Sequence, residues 1–271
     1  MHLFKANFFE VNAISILVKI STLLKFMIRK NIPNLFTSIN FICGCLGLYL
    51  AFKNLFEAAF FMVLLGAFFD LFDGFFARLL KVESQFGMQF DSMADLITSG
   101  FVPGVVMYEL FLKIGIREQN FLFSVFENEF VFSFAPLGLM GFIIPLSAAI
   151  RLVRFNLDTQ QKSEFRGLPT PANALFIASL PLLLEHKYFV FFKPFVYSFT
   201  GLLVVVVISS FLMNSRIRLF AFKITTYQLS DYGYQISLLL CSLPLFYFLQ
   251  WVAVPILIIL YLFLNVIRNS F

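Results

Sequence analysis

Four aspartates in the first half of the chain are spaced so that they could hold metal ions together. Asp70 and Asp73 lie three positions apart, and Asp91 and Asp95 lie four positions apart. Residues at these spacings share one face of a helix, and the short segment between the pairs would make their helices antiparallel neighbours. Carboxylates that converge in this way repel one another unless cations neutralise them. The pattern therefore predicts a site for two divalent ions, and oxygen ligands favour Mg²⁺ or Mn²⁺.

Small and basic residues beside these aspartates indicate phosphoryl chemistry. Gly74 directly follows the first pair, Gly87 precedes the second pair, and Arg78 lies one helical turn after Gly74. Glycine leaves room for a nucleotide or a partner helix, and arginine can hold a phosphate through two hydrogen bonds. Two metal ions can bind the attacking and leaving oxygens of an in-line displacement. An ion-coupled transporter is the alternative, since carboxylates inside membrane helices also serve in transport.

The rest of the sequence predicts that membrane-spanning helices position these residues. Of the 271 residues, 60% are hydrophobic and 13% are charged, and phenylalanine alone accounts for 41. A soluble domain is about half apolar and about a quarter charged, so lipid must be the solvent for much of this surface. The apolar runs are continuous rather than alternating. This predicts an all-α integral membrane protein and argues against a β-barrel.

Eight apolar stretches come close to the length that a bilayer requires. Their approximate ranges are 33–52, 55–78, 92–112, 131–153, 172–191, 194–213, 235–249 and 251–267. With residues 25–31 in the cytoplasm, thirteen lysine and arginine residues fall on the cytoplasmic side and five on the other. This excess predicts a multi-pass protein of the cell inner (cytoplasmic) membrane, with the aspartates facing the cytoplasm. The same bias explains the net charge of +5, so we expect no nucleic acid partner.

The first 26 residues are predicted to form an extension on the membrane surface. The run from Ile14 to Leu24 is apolar but contains Lys19, and Lys25 follows it, which is typical of an interfacial amphipathic helix. A signal peptide would end in a cleavage site of small residues, which is not found here. Met27 directly precedes the sequence Ile-Arg-Lys-Asn-Ile-Pro, and we hypothesise that translation begins there.

The acidic segment resembles the signature of one enzyme family. It reads Asp-x-x-Asp-Gly-x-x-Ala-Arg, followed by Gly-x-x-x-Asp-x-x-x-Asp, and so resembles the CDP-alcohol phosphatidyltransferase family. The matching positions are Asp70, Asp73, Gly74, Ala77, Arg78, Gly87, Asp91 and Asp95. The resemblance implies a six-helix core over residues 27–213, which a loop and a C-terminal helix pair follow at 214–271. It also implies that the protein is a homodimer.

The resemblance further implies a role for each matching residue. All four aspartates would bind metal, and Asp95 would also act as the general base. The CDP group of a CDP-linked lipid would be received by Asp70, Gly74, Arg78 and Gly87.

A second segment that resembles the family lies at the start of the first predicted span. Asn34 and Thr37 stand in a Pro-Asn-x-x-Thr sequence like the one that borders the nucleotide in this family. An ordinary cap at the start of a helix explains the two residues equally well. We therefore treat them as candidates for CDP binding.

Two further segments bear on the alcohol that accepts the phosphatidyl group. Arg151 and Arg154 share a helical face at the predicted membrane edge and could bind lipid phosphates or the carboxylate of an amino acid. Positive-inside topology explains them equally well. Together with residues 165–174 they resemble bacterial family members that use serine, which implies transfer from CDP-diacylglycerol to L-serine, giving phosphatidylserine and CMP. Glycerol 3-phosphate and an inositol phosphate are the alternative acceptors.

Overall fold

The computed structural model describes residues 29–125, 128–157, 165–219 and 233–270. The predicted extension at 1–26 and the proposed start at Met27 lie outside these residues. The helices are α1 (Arg29–Phe52), α2 (Phe56–Leu80), α3 (Gln85–Asp95), α4 (Val102–Lys113), α5 (Ile143–Leu157), α6 (Thr170–Glu185), α7 (Lys193–Val196), α8 (Phe199–Asn214), α9 (Gly233–Leu249) and α10 (Ala253–Ser270).

Strands make up little of the described structure. Strand β1 (Gln119–Val125) pairs antiparallel with β2 (Asn128–Phe134), and the two-residue strand β3 (Phe165–Arg166) pairs with β4 (Arg218–Leu219). Most of the described residues are helical, and several helices are long and apolar. The predicted all-α integral membrane fold is therefore confirmed.

The centre of the fold is a continuous helical rod that begins at Gln85 and ends at Lys113. A π-helical turn, Leu96–Phe101, joins α3 to α4 within it. The most apolar stretch of this rod is 78% buried, whereas the corresponding stretches of the other long apolar helices are at most 39% buried. The surrounding helices therefore pack around the rod, and much of their own apolar surface is left for lipid.

Glycine allows α1 and α2 to approach this rod closely. A Cβ atom on Gly66 of α2 would lie 2.6 Å from Cγ2 of Thr98 and 2.8 Å from Oδ1 of Asn40. Contacts this short are not tolerated, so a side chain at this position would push the three helices apart. The Thr98 hydroxyl also donates a hydrogen bond of 3.0 Å to the backbone carbonyl of Asn40, which holds α1 to the rod.

The number of membrane crossings depends on how broken helices are counted. Judged by length and composition, five of the described helices can cross a membrane, or six if α6 and the bent segment Val190–Val196 count as one. The bend between those two segments is 106°. Helix α8 is apolar but shorter, at 16 residues. Gly233–Arg268 is a single apolar helical stretch of 36 residues, interrupted by a 3-10 turn at Gln250–Val252.

Of the two C-terminal helices, α10 packs on the core. Gln250, in the turn between α9 and α10, has a φ of +50°, and the two helices then contact each other. Helix α10 also packs against α6 and β4. The backbone of Gly167, with a φ of +73°, donates a hydrogen bond to the Ile217 carbonyl beside β4. The described residues therefore contain five or six helices that can span a membrane, fewer than the eight predicted stretches, because the last two stretches fall in one helix, Gly233–Arg268, and α8 is short.

The predicted fourth span, 131–153, was wrong in its first part. Residues up to Phe134 belong to strand β2, and helix begins only with a 3-10 turn at Gly138–Phe142 that continues into α5. In the run Phe-Val-Phe-Ser-Phe every second residue is phenylalanine. Aromatic residues in this pattern suit a strand as well as a helix. Its pairing with β1 decides in favour of the strand.

Candidate active site

Three of the four predicted aspartates converge at one end of the helical bundle. One carboxylate oxygen each from Asp70, Asp91 and Asp95 lies within 4.8 Å of the other two. Asp70 lies in the C-terminal half of α2, ten residues before its end, and Asp91 and Asp95 lie on one face of α3, as their spacing predicts. Ser84 caps the start of α3 by accepting a hydrogen bond from the backbone of Gly87, so the helix begins at Gln85, six residues before Asp91.

Asp73 lies beside this trio but has a different partner. Its Oδ2 accepts a hydrogen bond of 2.8 Å from the hydroxyl of Thr37, and both side chains are buried. The Thr37 hydroxyl also lies 3.2 Å from the carbonyl of Pro33, so its single proton has two acceptors within reach, and Asp73 is the nearer. The carboxyl group of Asp91 lies next to those of both Asp70 and Asp73. The four acidic groups are therefore contiguous, although only three converge within the distance that one ion spans.

Asn40 is a site residue that our sequence reasoning missed. Its Nδ2 donates a hydrogen bond of 3.1 Å to Oδ1 of Asp95, across a separation of 55 residues in sequence. Asn40 is completely buried and Asp95 is 8% exposed. In the sequence, Asn40 is visible only as a polar residue in an apolar helix. Its link to Asp95 depends on how α1 packs on the rod, which the sequence does not give.

The two candidate arginines are separated by the structure. Arg151 lies close enough to Asp95 for a charge interaction, and it donates a hydrogen bond of 3.2 Å to the hydroxyl of Thr170. Its Nε is buried without a hydrogen-bond partner. Arg154 is exposed and lies 3.4 Å from Oδ1 of Asn214. Arg151 therefore belongs to the acidic site, whereas Arg154 contacts the end of α8.

A cavity of about 640 Å³ opens next to the acidic residues. It is lined by residues of α1, α2, α3 and α5: Lys30, Pro33, Asn34, Thr37, Asp73, Gly74, Ala77, Arg78, Val82, Glu83, Ser84, Gln85, Gly87, Met88, Asp91 and Phe155. Five of the six candidate residues for CDP binding are among them. The sixth, Asp70, lies in the acidic trio instead.

The wall of the cavity is open beside Gly74. A Cβ atom on Gly74 would have no heavy atom within 4 Å. A Cβ on Gly87 would lie 3.3 Å from the Ser84 hydroxyl and 3.5 Å from Oδ1 of Asn34. Arg78 is exposed at the rim, where its Nε donates to the carbonyl of Gly74 at 2.9 Å. The cavity therefore has unobstructed backbone at Gly74 and the positive charge of Arg78 at its rim.

The acidic trio could hold a divalent metal ion. Oδ1 of Asp91 is buried and has no hydrogen-bond partner. A bound cation would offset the cost of burying this oxygen. All the converging ligand atoms are carboxylate oxygens, which suit hard cations such as Mg²⁺ or Mn²⁺ better than zinc. The three residues that converge, Asp70, Asp91 and Asp95, are among the four that the sequence predicts as metal ligands.

The fold and the site together define an integral membrane protein with a carboxylate-rich site next to a cavity at one end of its helices. The chain belongs to the CDP-alcohol phosphatidyltransferase family, because the sequence model of that family matches residues 30–213.

Similar proteins carry related names. The chain is 31% identical over 159 residues to the CDP-diacylglycerol–serine O-phosphatidyltransferase of Helicobacter pylori. The aligned residues make up 58% of this chain and 59% of that protein. It is 32% identical over 145 residues to the enzyme of the same name from Bacillus subtilis, covering 52% and 69%. It is 30% identical over 153 residues to the archaetidylserine synthase of Methanothermobacter thermautotrophicus, covering 56% and 58%. The match to the Helicobacter protein thus spans about three fifths of that relative.

Proposed function

We propose that this protein transfers the phosphatidyl group of CDP-diacylglycerol to L-serine, giving phosphatidylserine and CMP. The observation that carries the proposal is the convergence of Asp70, Asp91 and Asp95 next to a cavity of about 640 Å³ that can receive a nucleotide. The names of the similar proteins support the same reaction and the same acceptor.

The proposed metal site uses the four aspartates. Asp70, Asp91 and Asp95 would hold divalent cations directly, and Asp73 would complete a site for two ions of Mg²⁺ or Mn²⁺. When bound, the ions would neutralise the pyrophosphate and the charge that develops during displacement. Thr37 would keep the Asp73 carboxylate oriented through the hydrogen bond at 2.8 Å.

Asp95 is the proposed general base. Asn40 holds its Oδ1, which leaves the other carboxylate oxygen to take the proton from the serine hydroxyl. The serine oxygen then forms a bond to the phosphorus that carries diacylglycerol. The bond from this phosphorus to the bridging oxygen of the pyrophosphate breaks, and CMP leaves with that oxygen and its electron pair.

The substrates would lie on either side of the acidic residues. Asn34, Gly74, Arg78 and Gly87 line the cavity and would receive the CDP group, with Arg78 facing a phosphate at the rim. On the other side, Arg151 lies next to Asp95 and would bind the carboxylate of serine. Arg154 contacts Asn214, so we assign it no part in acceptor binding.

The proposed setting is the cell inner (cytoplasmic) membrane, with the acidic residues facing the cytoplasm. The excess of lysine and arginine near this end of the helices supports that orientation. The lipid chains of the substrate would remain in the bilayer while its headgroup reaches the cavity. We also propose a homodimer, by analogy with the family.

The test is CMP release by the purified protein, given CDP-diacylglycerol with L-serine, glycerol 3-phosphate or an inositol phosphate. We expect CMP release that depends on serine, and its loss on Asp95→Asn. Glu57→Gln is the matched control, because Glu57 is an exposed carboxylate near the opposite end of α2. CMP release with glycerol 3-phosphate alone would refute serine as the acceptor. Metal-dependent solute flux without CMP release would instead indicate a transporter.

A further inference from the structure

Phenylalanine dominates one face of the hairpin formed by β1 and β2, on which Gln119 pairs with Phe134. Residues that pair directly across antiparallel strands point to the same face, and Phe121 pairs with Phe132 while Phe123 pairs with Phe130. The ring of Phe121 also stacks on that of Phe134 at a centroid distance of 4.5 Å. We call these five residues, Phe121, Phe123, Phe130, Phe132 and Phe134, the phenylalanine face.

The opposite face of the hairpin is largely polar. It carries Asn120, Ser124, Glu129 and Ser133, and the Ser133 hydroxyl donates to Oδ1 of Asn120 at 2.7 Å across the strands. Leu122 and Val131 form the one apolar pair on this side. The hairpin is therefore amphipathic.

The phenylalanine face has few neighbours within the described part of the chain. Phe123 is 60% exposed and Phe132 is 55% exposed. Exposed apolar patches of this kind mark contact with a partner or a membrane. The hairpin contributes nothing to the acidic site, which lies at the opposite end of the helices.

The position of the hairpin identifies the partner as lipid. The backbone N–H of Ala135, directly after β2, donates to the hydroxyl of Tyr108 on α4 at 3.3 Å, and Ala135 is fully buried. Tyr108 lies five residues before the end of the rod at Lys113, which is roughly 7.5 Å below that end at 1.5 Å per residue. The base of the hairpin is thus fixed below the end of a membrane-spanning helix, not out in the solvent.

The hydrogen bonds of the hairpin limit how deeply it can lie. A two-stranded sheet leaves backbone N–H and C=O groups unpaired along both outer edges, and such edges are not tolerated in the hydrocarbon core. At the interface, water satisfies the edges while aromatic rings reach the boundary of the acyl chains. We propose that the phenylalanine face binds the phospholipid surface at the end of the helices opposite the acidic site, with the polar face turned to water.

Tryptophan fluorescence in nanodiscs of phosphatidylcholine tests this proposal. The chain has one tryptophan, so Trp251→Phe supplies the background for Phe123→Trp and for Leu122→Trp, the matched control on the other face of the same strand. We expect Phe123→Trp to emit at a shorter wavelength than Leu122→Trp. Lipids labelled with a quencher near the headgroup should quench Phe123→Trp several-fold more than Leu122→Trp. Leu122→Trp should be quenched mainly by aqueous iodide.

Two outcomes would overturn the proposal. Equal access of iodide to both tryptophans would place the phenylalanine face in water. Shielding of Phe123→Trp from both quenchers, seen with several chains per disc and lost with one, would assign the face to a second copy of the chain. If Trp251→Phe does not fold, the same variants are read in the native background, with the signal of Trp251 subtracted.

Discussion

Asn40 provides the sharpest test of how the acidic site is held. The change Asn40→Ala removes the hydrogen bond of 3.1 Å from Nδ2 to Oδ1 of Asp95, and leaves all four aspartates in place. Asn40 also supplies the backbone carbonyl that Thr98 binds, but that contact does not depend on the side chain. The variant therefore separates the orientation of Asp95 from the presence of Asp95.

The expected loss follows from the burial of both groups. A hydrogen bond to a charged group contributes roughly 1.5–3 kcal/mol, which corresponds to about 10- to 150-fold in rate. Asn40 is 0% exposed and Asp95 is 8% exposed, so water does not readily replace the lost donor. We therefore expect kcat/KM to fall by about 100-fold, near the upper end of that range. The fall should lie mainly in kcat, because the cavity that would bind CDP is untouched.

The assay is CMP release at saturating CDP-diacylglycerol with serine varied. Asn265→Ala is the matched control, because Asn265 is likewise a fully buried asparagine of an apolar helix, and its amide donates to the carbonyl of Tyr261 at 2.8 Å. The control should keep the wild-type kcat/KM. Thermal unfolding in detergent must show that both variants are folded. A folded Asn40→Ala protein with the wild-type rate would refute the positioning of Asp95 by Asn40.

Three further changes test the metal, the helix packing and the cavity. Chelation with EDTA should abolish CMP release, and added Mg²⁺ or Mn²⁺ should restore it; activity that survives thorough chelation would exclude the metal role of the aspartates. Gly66→Ala places a Cβ 2.6 Å from Cγ2 of Thr98, so we expect about 1–3 kcal/mol of destabilisation and a lower unfolding temperature, and an unchanged temperature would contradict the close packing. Gly74→Val fills open space, so it should raise KM for CDP-diacylglycerol while the unfolding temperature holds; an unchanged KM would place the nucleotide elsewhere.

The acidic site was predictable because its spacing is local. Asp91 and Asp95 share a helical face whatever the tertiary structure, and a short segment joins their helix to the one that carries Asp70. Convergence of the three carboxylates then needs only two adjacent helices. Asn40 could not be found in this way, since it reaches Asp95 across 55 residues through the packing of α1. Arg154 shows the converse, because the shared face with Arg151 did not bring it to the site.

The hairpin was missed for a different physical reason. Continuous apolar sequence specifies burial in lipid or protein but does not by itself distinguish a strand from a helix. The apolar run 131–153 was long enough for a span. Its first residues nevertheless pair with β1, which lies between the predicted spans. Phenylalanine alternates with other residues at Phe130, Phe132 and Phe134, but only the pairing with β1 shows that the phenylalanines of both strands fall on one side.

The way in which the aspartates are held suggests how one cluster can both bind cations and move a proton. Asp91 keeps a buried oxygen without a partner, which is the arrangement expected of a ligand that a cation completes. One oxygen of Asp95 is fixed by Asn40, and the cation of Arg151 lies near, so its second oxygen has a defined direction. Neutral donors from α1 therefore hold the two most buried aspartates, Thr37 for Asp73 and Asn40 for Asp95, while the more exposed Asp70 and Asp91 face the centre of the cluster. Helix α1 thus orients the acidic residues of both α2 and α3, which explains in physical terms why a helix with no acidic residue of its own belongs to the site.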